Sequence, residues 1–114
     1  MNNILIDAIQ NKKTISFSYH GKKRVVQPHH LGVFGIHDQI HAYQVNSEFT
    51  TPGWKNFIVS SMQDICINQL NLFVPQSTYN PSNSKYSRIY ASVLDINNSD
   101  RYDPDDPNDS GFQI

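Results

Sequence analysis

"ISFSYHGKKRVVQPHHLGV", residues 15–33, is the stretch whose reading decides the fold. Its first half alternates strictly. Ile15, Phe17 and Tyr19 fall on one side of an extended chain and Ser16, Ser18 and His20 on the other, the period-two pattern of a half-buried strand. Gly21 supplies a turn and Arg24 to Gln27 resume an extended run, so the stretch folds as a hairpin. Pro28 has no N–H to donate to a ladder and is expected to end regular pairing. Lys22, Lys23 and Arg24 follow the turn and Tyr19 precedes it, which makes the tip basic and aromatic at once.

On the N-terminal side, residues 3–11 place Ile4, Leu5, Ala8 and Ile9 at helical spacing, with Asn2 or Asn3 available as the N-cap. On the C-terminal side, "QIHAYQV" (39–45) and "FIVSSM" (57–62) read as strands separated by turn material, and "DICINQLNLF" (64–73) alternates again. Five short strands at such intervals predict a small barrel, with "RIYASVLDI" (88–96) as a final edge strand and residues 74–87 as loop. Ile15, Phe17, Val26, Ile40, Phe57, Val59 and Ile65 are the expected core.

At 114 residues with 38% hydrophobic content, the chain has room for one domain and one modest core. We divide it into a domain at 1–94 and an acidic tail at 95–114. The net charge of −1 conceals a split: residues 1–90 carry eight Lys/Arg against four acids, and residues 91–114 carry one Arg against six Asp. Such asymmetry fits an anionic partner for the body, a tail that folds back near the basic hairpin, or a plain solubilising tail. Asp, Asn and Pro dominate from Asn97 onward, so the tail is expected to be flexible unless it docks, with Phe112 and Ile114 as its only apolar anchors. One cysteine, Cys66, allows neither an intrachain disulfide nor a cysteine-based zinc site, and no run approaches a membrane span. A cytoplasmic, membrane-free protein is the expectation.

Catalytic and metal signatures are weak. His20, His29, His30, His37 and His41 form no HxxxH pair on a helix, and adjacent His29 and His30 are expected to point apart on an extended chain. "DPDDPNDS" lacks the alternation and closing Glu of a calcium loop. There is no GxSxG, GxGxxG or GxxxxGK[ST]. We therefore expect no enzyme activity, no metal and no cofactor. What remains is a mixture of cations and rings around the hairpin and around Trp54 and Lys55, the combination that phosphate and base recognition requires, and these are expected to converge on one rim.

"ILIDAIQNKKTISFSYHGKKRVVQPHHLGVF", with "IHAYQV", "WKNFIVSSMQDI" and "FVPQSTYNP" after it, resembles the WYL domain family over about residues 3–81. Phe17, Tyr19, Arg24, Pro28 and Leu31 occupy the positions of the family's xFxYxgxxRxvxPxxL run. His41-Ala42-Tyr43-Gln44 stands where the eponymous Trp-Tyr-Leu falls, and in "KNFIVSSM" Lys55 takes the first arginine position while Ile58 and Ser61 replace cationic ones. The resemblance implies an SH3-like or Sm-like barrel of five or six strands behind a short N-terminal helix. It implies a ligand-sensing role in bacterial transcription regulation, including phage defence, here as a lone, divergent member without the usual winged-helix DNA-binding domain. The implied ligand is a nucleotide or single-stranded nucleic acid held by Tyr19, Arg24, Tyr43 and Lys55; His29 and Trp54 join that set from local chemistry. The alternative is a protein–protein interaction or homo-oligomerisation module that has lost ligand binding.

Overall fold

A computed structural model describes residues 3–45 and 50–95. Helix α1 (Asn3–Gln10) buries Leu5, Ala8 and Ile9 and leaves Ile4 half-exposed, as an amphipathic stripe dictates. Asn3 is already helical, so it is not the cap, and Asn2 lies outside the described residues. Six antiparallel strands follow: β1 (Lys13–Tyr19), β2 (Lys22–Phe34), β3 (His37–Gln44), β4 (Gly53–Ile58), β5 (Gln63–Leu72) and β6 (Arg88–Ser92). The hairpin between β1 and β2 turns on His20 and Gly21, both at positive φ (51° and 80°). That geometry belongs to the tight two-residue turn whose twist matches the flanking strands.

The pairing path is β4-β3-β2-β1-β5, with β6 added to the distal half of β2. Strand β2 is long enough to serve three neighbours: its first half pairs β1, its second half pairs β6, and its other edge pairs β3. The path does not return from β5 to β4, so the described strands form an open sheet rather than a closed ladder. Gly32 lies where β2 and β6 come closest; a Cβ there would stand 2.0 Å from the Arg88 carbonyl oxygen.

Three boundaries differ from expectation. β2 does not stop at Pro28. Its Cα stands opposite that of Ala42, and the missing N–H is accommodated because a bulge follows at once, between Pro28 and His30. β4 begins at Gly53 rather than Phe57, and Val59–Ser61, expected as strand, closes into a 3-10 turn. Along β5, five residue steps from Ile67 to Leu72 match two steps on β1, so residues 68–71 bow outward and Leu70 is 96% exposed.

The core lies between one face of the sheet and α1. Ile15, Phe17, Val26, Ile40 and Phe57 are buried in it, while Val59 and Ile65 pack against it only in part. Leu5, Ile9, Leu31, Met62, Phe73 and Val93 complete it. Phe17 and Tyr19 each meet Phe57 edge to face, at centroid distances of 5.0 and 4.9 Å. Asp95 is the last described residue; its carboxylate accepts from the Ser92 N–H at 2.8 Å and from the Gln10 side-chain amide at 3.4 Å. The expected docking of the acidic tail on the hairpin, with its anchors Phe112 and Ile114, lies outside the described residues. No helix among the described residues is long and apolar enough to cross a membrane.

Candidate functional site: a histidine–aromatic layer under a strap

The opposite face of the sheet carries rings instead of aliphatic groups. Period two along β3 and β4 sends His41, Tyr43, Trp54 and Asn56 to this face, since Ile40, Ala42, Gln44 and Phe57 are turned into the core. On β2 the bulge after Pro28 re-aims the chain. His29 and His30 therefore do not point apart: both rings meet Tyr79, at 5.0 and 5.6 Å between centroids. A stacked column runs across three strands. His30 lies 4.8 Å from His41 at an interplanar angle of 19°, His41 lies 4.7 Å from Trp54 at 5°, and Tyr43 closes the column edge-on to Trp54 at 5.5 Å.

Residues 73–87, between β5 and β6, form a strap over this layer. Its contacts are polar as much as aromatic. The Gln76 N–H donates to His29 Nε2 at 3.0 Å, and His29 Nδ1–H donates to the Gln27 carbonyl at 2.8 Å, which fixes the imidazole as neutral with its proton on Nδ1. Trp54 Nε1–H donates to Thr78 Oγ1 at 2.9 Å. The Tyr79 hydroxyl meets His30 Nδ1 at 2.6 Å. Asn56 Oδ1 accepts from both Tyr86 Oη, at 2.7 Å, and His41 Nδ1, at 2.9 Å.

Electrostatics follow burial. Desolvation is the main cause lowering His29 to about 4, with the Gln27 carbonyl opposing it and His41 adding to it. Desolvation, then His41 and His29, lower His30 to about 3. His41 is also lowered by burial, against the hydrogen bond to Asn56. Burial raises Tyr79 and Tyr86 above the ordinary phenol range. The layer is uncharged at neutral pH. His30 Nε2 is buried without a hydrogen-bond partner, so protonation there has nothing to stabilise it. Among the described residues, no group of three or more His, Cys, Asp or Glu is arranged to hold a metal ion.

The structure splits the six sequence-predicted ligand residues. Tyr19 and Arg24 sit on the core face. The Tyr19 hydroxyl accepts from the Ile58 N–H at 3.0 Å, and the Arg24 guanidinium donates to Gln44 Oε1 at 3.1 Å beside the rings of Tyr19 and Phe57. His29, Tyr43 and Trp54 belong to the opposite face, and Lys55 is exposed on the edge strand β4. The single rim expected from the sequence is therefore two faces, because alternation separates Arg24 and Gln44 from Tyr43 and Trp54. His30, His41, Asn56, Tyr79 and Tyr86 were not among the predicted residues. Two tyrosines within an otherwise polar loop were the available signal. Comparison of the chain with protein-family models, with curated proteins and with solved structures gives no match in any of the three.

Proposed function

We propose that this chain is a non-enzymatic recognition domain of the WYL kind, a cytoplasmic regulatory module whose curled sheet is an SH3-like variant, and that it binds a nucleotide or single-stranded nucleic acid at the β3–β4 edge. One observation carries the reading. Tyr43 stands edge-on to a Trp54 that is itself stacked on His41, and Lys55 is exposed on the same outer strand. The ring pair is a flat surface on which a base can stack, and the Lys55 side chain, which alternation turns to the other side of this edge strand, attracts the phosphate from around that edge. Tyr19 and Arg24 serve the same site from behind, through Gln44, which Arg24 holds by its side chain.

Trp54 is the only tryptophan, so its emission reports the site directly. Titration with AMP or a short oligothymidylate at low salt should quench it saturably and weaken as salt rises. Tyr43→Ala should weaken binding about tenfold, since a base stack contributes roughly 1–3 kcal/mol. Absence of a saturable change at low salt would sink the proposal. A second reading, self-association, is favoured by the open edge of β5, where Leu70 and Leu72 are 96% and 64% exposed. Sedimentation of the purified chain separates the two.

A further inference from the structure

We propose that the outer face of β2, β1 and β5, lined by none of the histidine-layer or strap residues, is a separate binding cleft for a small phosphate monoester. The cleft encloses about 510 Å³ and continues for about 350 Å³ toward Asp64. Both volumes lie in the range that admits small organic ligands. Its polar groups are laid out by the strand register. Ser18 stands opposite Lys23 across β1 and β2, while Ser16, two residues along, stands opposite Val25 on one side and Cys66 on the other. All five project to one face because cross-strand partners share a face and alternate residues repeat it.

Among the described residues, neither serine hydroxyl nor the Lys23 ammonium has a hydrogen-bond or ion-pair partner within the protein. The serines are half-buried and the lysine is exposed. Two hydroxyls two residues apart on a strand lie roughly 6.8 Å from each other, a span that two O–H···O bonds of about 2.7 Å and the width of one oxyanion bridge. A phosphate monoester has a further terminal oxygen for Lys23, and charge-assisted donation makes that contact the strongest. The uncharged part of the ligand then lies over Val25 and Leu70, while Asp64, which lines the same end of the cleft as Ser18 and Lys23, repels an anion and favours a phosphate held toward Ser16.

Cys66, the only cysteine and an exposed one, lies within this cleft and supplies a readout independent of Trp54. The rate of Cys66 alkylation by iodoacetamide is measured on the full chain with AMP, adenosine or inorganic phosphate present. AMP should slow the reaction saturably, inorganic phosphate should compete with AMP for the cleft, and adenosine at equal concentration should not protect. Lys23→Ala should reduce AMP protection at least about tenfold, the consequence of losing one hydrogen bond to a charged group, and Ser16→Ala should also reduce it, each measured against that variant's own unprotected rate. Equal protection by adenosine, protection that survives Lys23→Ala, or no protection at all would overturn the proposal. So would a cysteine whose slow alkylation is relieved only by removing residues 96–114, which would assign the cleft to the chain's own acidic end. Protection of Cys66 without any change in Trp54 emission would uphold this cleft and refute the β3–β4 site; the reverse outcome would do the opposite.

Discussion

Acid should open the strap before it unfolds the core. His29 accepts the Gln76 N–H at Nε2 and spends its one proton on the Gln27 carbonyl, so a second proton must break the strap contact to bind. Its pKa falls from 6.5 to about 4 on folding, and that of His30 from 6.5 to about 3. Between these values the unfolded chain binds more protons than the native one. Stability is therefore level above pH 6.5 and falls as pH drops below it. From pH 6.5 to pH 5, at 1.36 kcal/mol per unit, each imidazole contributes a loss of about 2 kcal/mol. The pair then removes roughly 3–4 kcal/mol, less whatever residual solvent screening takes back. A domain of this size holds about 5–15 kcal/mol in all, so the loss is a large share. Urea denaturation at pH 7, 6 and 5, followed by Trp54 emission, measures it. With a urea slope of about 1–3 kcal/mol/M, the midpoint should fall by at least 1 M, approximately, between pH 7 and 5. This window lies above most carboxylate titration, so a flat midpoint would show that the histidines are not buried neutral, and the strap account would be wrong.

Substitutions at three positions test the frame around this layer. Phe17→Ala removes a ring that is 2% exposed and meets both Tyr19 and Phe57, and should cost about 3–5 kcal/mol in a denaturation series. Gly32→Ala places a methyl group against the backbone of Arg88 and Ile89, so β6 should detach, seen as loss of amide-exchange protection at Ala91 while β1 and the half of β2 paired with it keep theirs. Arg24→Ala strands the buried Gln44 oxygen and should lower stability by about 2–3 kcal/mol, with Arg24→Lys recovering little because the guanidinium also lies over the rings of Tyr19 and Phe57. Unchanged stability in either Arg24 variant, with weakened AMP binding, would return that residue to a direct ligand role.

The hairpin and the helix were legible because their signals are local. Alternation at Ile15, Phe17 and Tyr19 and the glycine at the turn are sufficient to place β1 against β2, and the helical spacing of Leu5, Ala8 and Ile9 is enough to orient α1. The expectation fails at Pro28, where a missing N–H implies a stop. A bulge satisfies the same constraint while letting the strand continue to Phe34. That one event also hid the site, because the face taken by His29 and His30 depends on the extra residue and not on the identities of the side chains. The strap was hidden for a different reason. Tyr79 and Tyr86 have no periodicity to report, and their partners on β2 and β3 are 38 to 56 residues distant in sequence.

A strap without a ladder explains why the second layer is built from histidine and tyrosine instead of leucine. Residues 73–87 join the sheet as no strand; backbone bonds tie down their two ends, Phe73 to Lys12 and Ser87 to Val33, and close short turns, so the polar groups in between need side-chain partners. Aliphatic rows on β2 and β3 offer nothing to the Gln76 N–H or to the hydroxyls of Thr78, Tyr79 and Tyr86. Imidazole, indole and amide groups offer both a flat apolar surface and a hydrogen-bonding edge, and His29, His30, Trp54 and Asn56 each use that edge on the strap. The same choice leaves Tyr43 as the one ring of the column with no strap tyrosine against it among the described residues, since Tyr79 and Tyr86 pack against the rest. A base that stacks on this face without displacing the strap must therefore approach over Tyr43, from the open edge where Lys55 is exposed. Acid, by breaking the His29 contact, would uncover the column further in, so the binding proposed for this face and closure of the strap would be opposed through the same imidazole.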